Sequence, residues 1–66
     1  MKNATVHDGH KINVFELMLA CHDFEKNSNN RPYDVYPGNN CVWISSGGLN
    51  LYYIFRDGKI ADIQVD

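Results

Sequence analysis

From residue 33 to residue 65 the chain reads as four short runs rich in β-branched and aromatic residues, 33–36, 41–45, 49–55 and 60–65. Each gap between runs carries a turn signature: Pro37-Gly38-Asn39-Asn40, Gly47-Gly48, then Arg56-Asp57-Gly58. Short runs of that composition bounded by turn residues are strands, and glycine, proline and asparagine clusters mark where the backbone must reverse. Connections this short join antiparallel neighbours, because parallel ones need a crossover of a dozen residues or more.

One helix precedes these runs. Asn13-Val14-Phe15-Glu16 has the spacing of a capping box, with Asn as the N-cap and Glu three positions on. Ile12 and Leu17 fall at the two positions of a hydrophobic staple. Val14, Leu17, Met18, Cys21 and Phe24 recur at helical spacing, with Phe15, Leu19 and His22 widening the stripe. The spacing predicts a helix over about 14–26, ended by the poor helix formers Asn27-Ser28-Asn29-Asn30, and Arg31-Pro32 extends the chain beyond it. Upstream, Asp8-Gly9 suggests a small hairpin joining Thr5-Val6-His7 to His10-Lys11-Ile12. The expected fold is α+β, a single domain over 1–66 in which one amphipathic helix packs on a three- to four-stranded antiparallel β-meander.

Strand register decides which side chains share a face. A two-residue Gly47-Gly48 turn pairs Ile44 with Leu51 and Val42 with Tyr53, and sets Trp43 opposite Tyr52. For the last hairpin, a two-residue turn pairing Arg56 with Lys59 divides the apolar residues between faces. A three-residue loop with Gly58 left-handed in a bulge pairs Phe55 with Lys59, Tyr53 with Ala61, Leu51 with Ile63 and Leu49 with Val65. The second arrangement is expected because it makes one continuous apolar face for the helix. The opposite, outer face then collects Cys41, Trp43, Tyr52, Ile54 and Ile60.

Composition bounds the function. A chain of 66 residues buries only about 60% of its unfolded surface, and a core that small rarely supplies more than roughly 3–5 kcal/mol without a staple or a partner subunit. That favours oligomerisation over an enzyme's closed pocket. The hydrophobic fraction of 44% is too high for a disordered chain. Net charge is −2, and Lys2, Lys11, Lys26, Arg31, Arg56 and Lys59 are scattered, which argues against nucleic acid, whose phosphates demand clustered cations. No apolar run reaches the roughly 20 residues of a membrane span, and the N-terminus lacks the apolar segment of a signal peptide. With two cysteines, Cys21 and Cys41, a cytoplasmic location with free thiols is the simplest expectation.

Few residues invite specific chemistry. His7, His10, Cys21, His22 and Asp23 include metal-ligand types, but Cys21 and His22 are helix neighbours about 100° apart, a poor fit to a tetrahedral site. Neither a metal nor a cofactor is expected. Cys41 as a nucleophile, with His22 or His10 as base, lacks any local feature that would lower a thiol pKa. Ser45-Ser46-Gly47-Gly48 has the composition of a phosphate loop, yet a strand and not a helix follows it. Tyr33 and Tyr36, beside Trp43 and Tyr52, offer an aromatic box for a nucleotide-like ligand, with Arg31 and Arg56 to hold a phosphate.

In size, balanced composition and lack of a catalytic motif, the chain resembles the small accessory proteins of phages and other mobile elements, many of which bind and inhibit a host protein. The leading expectation is a protein-interaction module or inhibitor that uses the outer face, with Trp43 and Tyr52 as anchors and Ile54, Ile60 and Cys41 beside them. The alternative is a small-ligand-binding homodimer using Tyr33, Tyr36, Arg31 and Arg56. A Cys- or metal-dependent enzyme is the remote third. A blander outcome is also open, in which residues 1–12 or 33–36 fold over the outer face as a second core layer.

Overall fold

The computed structural model describes residues 3–9, 12–29 and 31–66. Strand β1 (Ala4–Val6) leads into helix α1 (Val14–Lys26), and β2 (Tyr33–Gly38), β3 (Cys41–Ser46), β4 (Leu49–Arg56) and β5 (Lys59–Val65) follow. The strands form one sheet in chain order, β1-β2-β3-β4-β5. The fold is α+β, and the expected meander is β2 to β5. The sheet has five strands and is mixed, because β1 lies parallel to β2 with Ala4 beside Tyr33 and Val6 beside Val35. The helix is the crossover that a parallel pair requires. Thr5 and Val6 therefore pair across the sheet and not within a local hairpin; the His10-Lys11 arm of that expected hairpin lies outside the described residues.

The helix begins as its sequence dictates: Asn13 is extended, and its Oδ1 accepts a hydrogen bond from the Phe15 amide at 2.8 Å. It ends at Asn27, whose side-chain amide donates to the Asp23 carbonyl. Its inward face is Leu17, Ala20, Cys21 and Phe24. Val14 and Met18, expected inside, are 57% and 40% exposed, and Phe15 and Leu19 face solvent with them. The rotation has a visible cause. Ala20 brings the helix close to the sheet, and Asp23 and Glu25, on either side of Phe24, accept hydrogen bonds from Tyr53 on β4 and Tyr33 on β2. Phe24 and Tyr33 pack with ring centroids 4.7 Å apart. The inner face is completed by Val35, Val42, Ile44 and Phe55, all buried.

Register in the β3–β4 hairpin is the expected one, with Ile44 opposite Leu51, Val42 opposite Tyr53 and Trp43 opposite Tyr52. The β4–β5 hairpin differs. Asp57 and Gly58 both take positive φ, 55° and 76°, making a two-residue turn that pairs Arg56 with Lys59 and Phe55 with Ile60. A bulge follows: Ile54 is opposite Asp62, so Ala61 is the extra residue, and Tyr53 then meets Ile63 and Leu51 meets Val65. Without it Asp62 would fall beside Tyr53 on the apolar side. The bulge keeps Ile63 and Val65 on the helix side of the sheet, where both remain partly open to solvent, and puts Asp62 and Gln64 on the other. Ile60, expected on the outer face, instead packs against the core.

Both sheet edges are managed. Asp66 and Asn50 exchange backbone hydrogen bonds, so by alternation the Ile63 amide points away from β4. That amide donates to the Asp62 side chain at 2.9 Å, which satisfies it locally. On the other side, β1 ends where Pro37, which has no N–H to offer, begins to face it. Gly9 passes there so closely that a Cβ would lie 2.1 Å from the Pro37 carbonyl oxygen.

The Tyr33–Glu25 bond makes the fold pH-dependent at both ends, and the Tyr53–Asp23 bond at the alkaline end. Glu25 is held below its ordinary 4.5 chiefly by the Tyr33 hydroxyl. Desolvation, then Glu25, pushes Tyr33 above its ordinary 10.0, and desolvation, then Asp23, does the same to Tyr53. The Glu25 contribution is present above the ordinary carboxylate range and lost as pH falls through it; the tyrosine contributions are present below pH 10.0 and lost as pH rises beyond it. Urea unfolding of Tyr33→Phe at neutral pH is expected to show a loss of about 1.5 kcal/mol. Its stability should also vary less than wild type at both pH extremes; an unchanged pH profile would refute the link.

Candidate functional site

Alternation along the strands places Asp34 and Tyr36 of β2, Cys41 and Trp43 of β3, and Tyr52 and Ile54 of β4 on the face away from the helix. None of these is buried and none is fully exposed. Neither 3–9 nor 33–36 folds over them. Both segments instead extend the sheet sideways, β2 as the neighbour of β3 and β1 as the neighbour of β2. Among the described residues the outer face has no second layer.

Its centre is a rack of four rings. His7 stacks on Tyr36 at 4.4 Å between centroids and 5° between planes, Tyr36 on Trp43 at 4.3 Å and 25°, and Trp43 lies beside Tyr52 at 6.0 Å and 19°. Adjacent strands are about 4.8 Å apart, so rings stacked at that spacing stand upright on the sheet and turn their edges to solvent. Tyr36 is covered on both faces, by His7 and Trp43, whereas Trp43 is in close contact on its Tyr36 side and stands 6.0 Å from Tyr52 on the other. Polar bonds fix the orientation. The Trp43 indole N–H donates to Asn50 Oδ1 at 2.9 Å, and His7 Nε2 lies 3.0 Å from Asp34 Oδ1. Asp34, Ser45, Asn50, Asp62 and Gln64 form a polar margin around the rings.

Of the expected partner-binding residues, Trp43, Tyr52, Ile54 and Cys41 share this face, and Ile60 does not. His7 and Tyr36 belong to the rack and were missed in that role. Tyr36 has the same parity as Trp43 and could have been found from the β2–β3 turn. His7 could not, since its place depends on the parallel pairing of β1.

The residues expected to hold a nucleotide-like ligand do not converge. Tyr33 is buried on the inner face, Tyr36 is on the outer face, Arg31 precedes β2, and Arg56 ends β4 at an exposed turn. Cys41 and His22 lie on opposite sides of the sheet. Cys21 is buried in the core, where desolvation pushes its thiol up, and both cysteines are free. Among the described residues no three metal-ligating side chains cluster; His10 lies outside them. Nor is any described helix long and apolar enough to cross a membrane.

The rack can be separated from the core by substitution. Trp43→Ala should leave a dispersed, folded NMR spectrum, whereas Ile44→Ala, one residue along and fully buried, should cost about 2–5 kcal/mol in chemical unfolding. Comparable losses in the two variants would place Trp43 among the residues that hold the fold. No protein-family model, curated protein or solved structure matches the chain.

Proposed function

We propose that this chain is a protein-interaction module of the kind that binds and inhibits a larger protein, and that it docks through the outer sheet face with Trp43 and Tyr52 as anchors. The observation that carries the reading is the rack of stacked, half-exposed rings with a polar margin and no described residue above it. Protein interfaces concentrate their energy in a few central aromatic residues ringed by polar groups, and Trp and Tyr are the commonest such anchors. Stacking pre-orders the rings, so little side-chain freedom remains to be lost on binding. Ile54 and Cys41 continue the apolar surface from Tyr52 and Trp43 across the β3–β4 hairpin.

The same geometry weighs against a stacking site for a planar ligand or a nucleic-acid base. A base-binding platform offers open ring faces beside cations. Here Tyr36 is enclosed between His7 and Trp43, no cation stands among the described residues of the rack, and Asp34 and Asp62 lie at the margin.

The test is quantitative binding to a partner captured from host lysate, with wild-type, Trp43→Ala and Tyr52→Ala proteins shown to be folded. Each variant is expected to weaken binding by about 30-fold, the size of a hot-spot loss. Phe15→Ser, on the exposed side of the helix, should bind like wild type. Retained binding in both aromatic variants, or loss only in Phe15→Ser, would overturn the outer-face reading.

A further inference from the structure

The inner face is not wholly covered by the helix. Between the C-terminal half of α1, the segment that follows it and the far ends of β4 and β5 lies a cleft of about 280 Å³, close to the lower bound for small-ligand pockets. Its walls are apolar, formed by Phe24, Leu49, Leu51 and Ile63, with the Tyr53 ring among them. Leu49 and Ile63 remain 38% and 41% exposed, so this apolar surface is left unfilled by the chain.

The polar groups at the rim are few and unequal. Tyr53 donates to the Asp23 carboxylate at 3.0 Å, and Asn27 donates to the Asp23 carbonyl. Arg31 differs: among the described residues its guanidinium forms no ion pair or hydrogen bond. Its Nη2 lies 2.8 Å from where a Cβ of Gly47 would be, so the guanidinium passes close over the β3–β4 turn. A cation free of partners beside an apolar cleft selects an anionic head on an apolar body. Asp23 at the same rim repels a second negative charge and so disfavours a phosphate dianion.

We propose that this cleft binds a small apolar monocarboxylate, its carboxylate paired with Arg31 and its hydrocarbon body against Phe24, Leu51 and Ile63. The site is independent of the outer face, which lies on the other side of the sheet.

The test is a two-dimensional amide NMR titration of the full chain with hexanoate, run in parallel with 1-hexanol and with inorganic phosphate. Hexanoate is expected to give saturable shifts at Ser28, Leu51 and Ile63, with 1-hexanol and phosphate at least tenfold weaker. Arg31→Gln should weaken hexanoate at least tenfold. Ile63→Phe, which narrows the cleft from an edge strand, should abolish the shifts. Absence of saturable shifts, equal binding of hexanol or phosphate, or an unchanged Arg31→Gln affinity would overturn the proposal. So would ligand-free shifts of the same amides with protein concentration, which would assign the cleft to a second copy of the chain.

Discussion

Phe24 enters the core between two acidic neighbours, and each of those carboxylates is claimed by a tyrosine hydroxyl from a different strand. Asp23 reaches Tyr53 on β4 and Glu25 reaches Tyr33 on β2, so the helix spans β3 and cannot roll about its own axis without breaking one bond or the other. Such charge-assisted bonds are directional, whereas apolar burial is not. They explain why the helix turns Leu17, Ala20, Cys21 and Phe24 inward when Val14 and Met18 are equally apolar. With one helix fixed over one face, the other face is left to cover itself.

The ring rack is how it does so. Upright rings at strand spacing shield one another's faces from water and leave a narrow apolar crest, where rings lying flat would expose a broad one. The bonds from Trp43 to Asn50 and from His7 to Asp34 fix the orientation of the rings through their polar ends.

Much of this was legible in the sequence. The N-cap at Asn13, the helix limits, the four later strands and the Gly47-Gly48 register all follow from local rules that the tertiary structure leaves undisturbed. The β4–β5 register did not, although its signal was present. Ile60, Ile63 and Val65 are spaced three and then two apart, and a break in a period of two is what a bulge produces. A two-residue turn with an unbroken strand divides the apolar residues and a three-residue loop unites them; the chain instead uses a tight turn and then corrects the parity within the strand. Ile60 changed sides for that reason. The helix stripe misled because apolar residues occupy more than half its circumference, so periodicity could not choose the buried half; Tyr33 and Tyr53, distant in sequence, made the choice. The parallel placement of β1 carries no local signature, and with it His7 was lost from the rack.

That placement sets an order of assembly. Strands β2 to β5 join sequence neighbours through tight turns, so each pairing closes a short loop and can form within microseconds of the one before. Strand β1 has three residues, and the whole helix separates it from its partner, so its pairing closes the longest loop in the sheet for the fewest bonds. His7 rides on that segment. The rack therefore joins three rings supplied by the meander, Tyr36, Trp43 and Tyr52, to a fourth that only closure of the crossover can bring to its end.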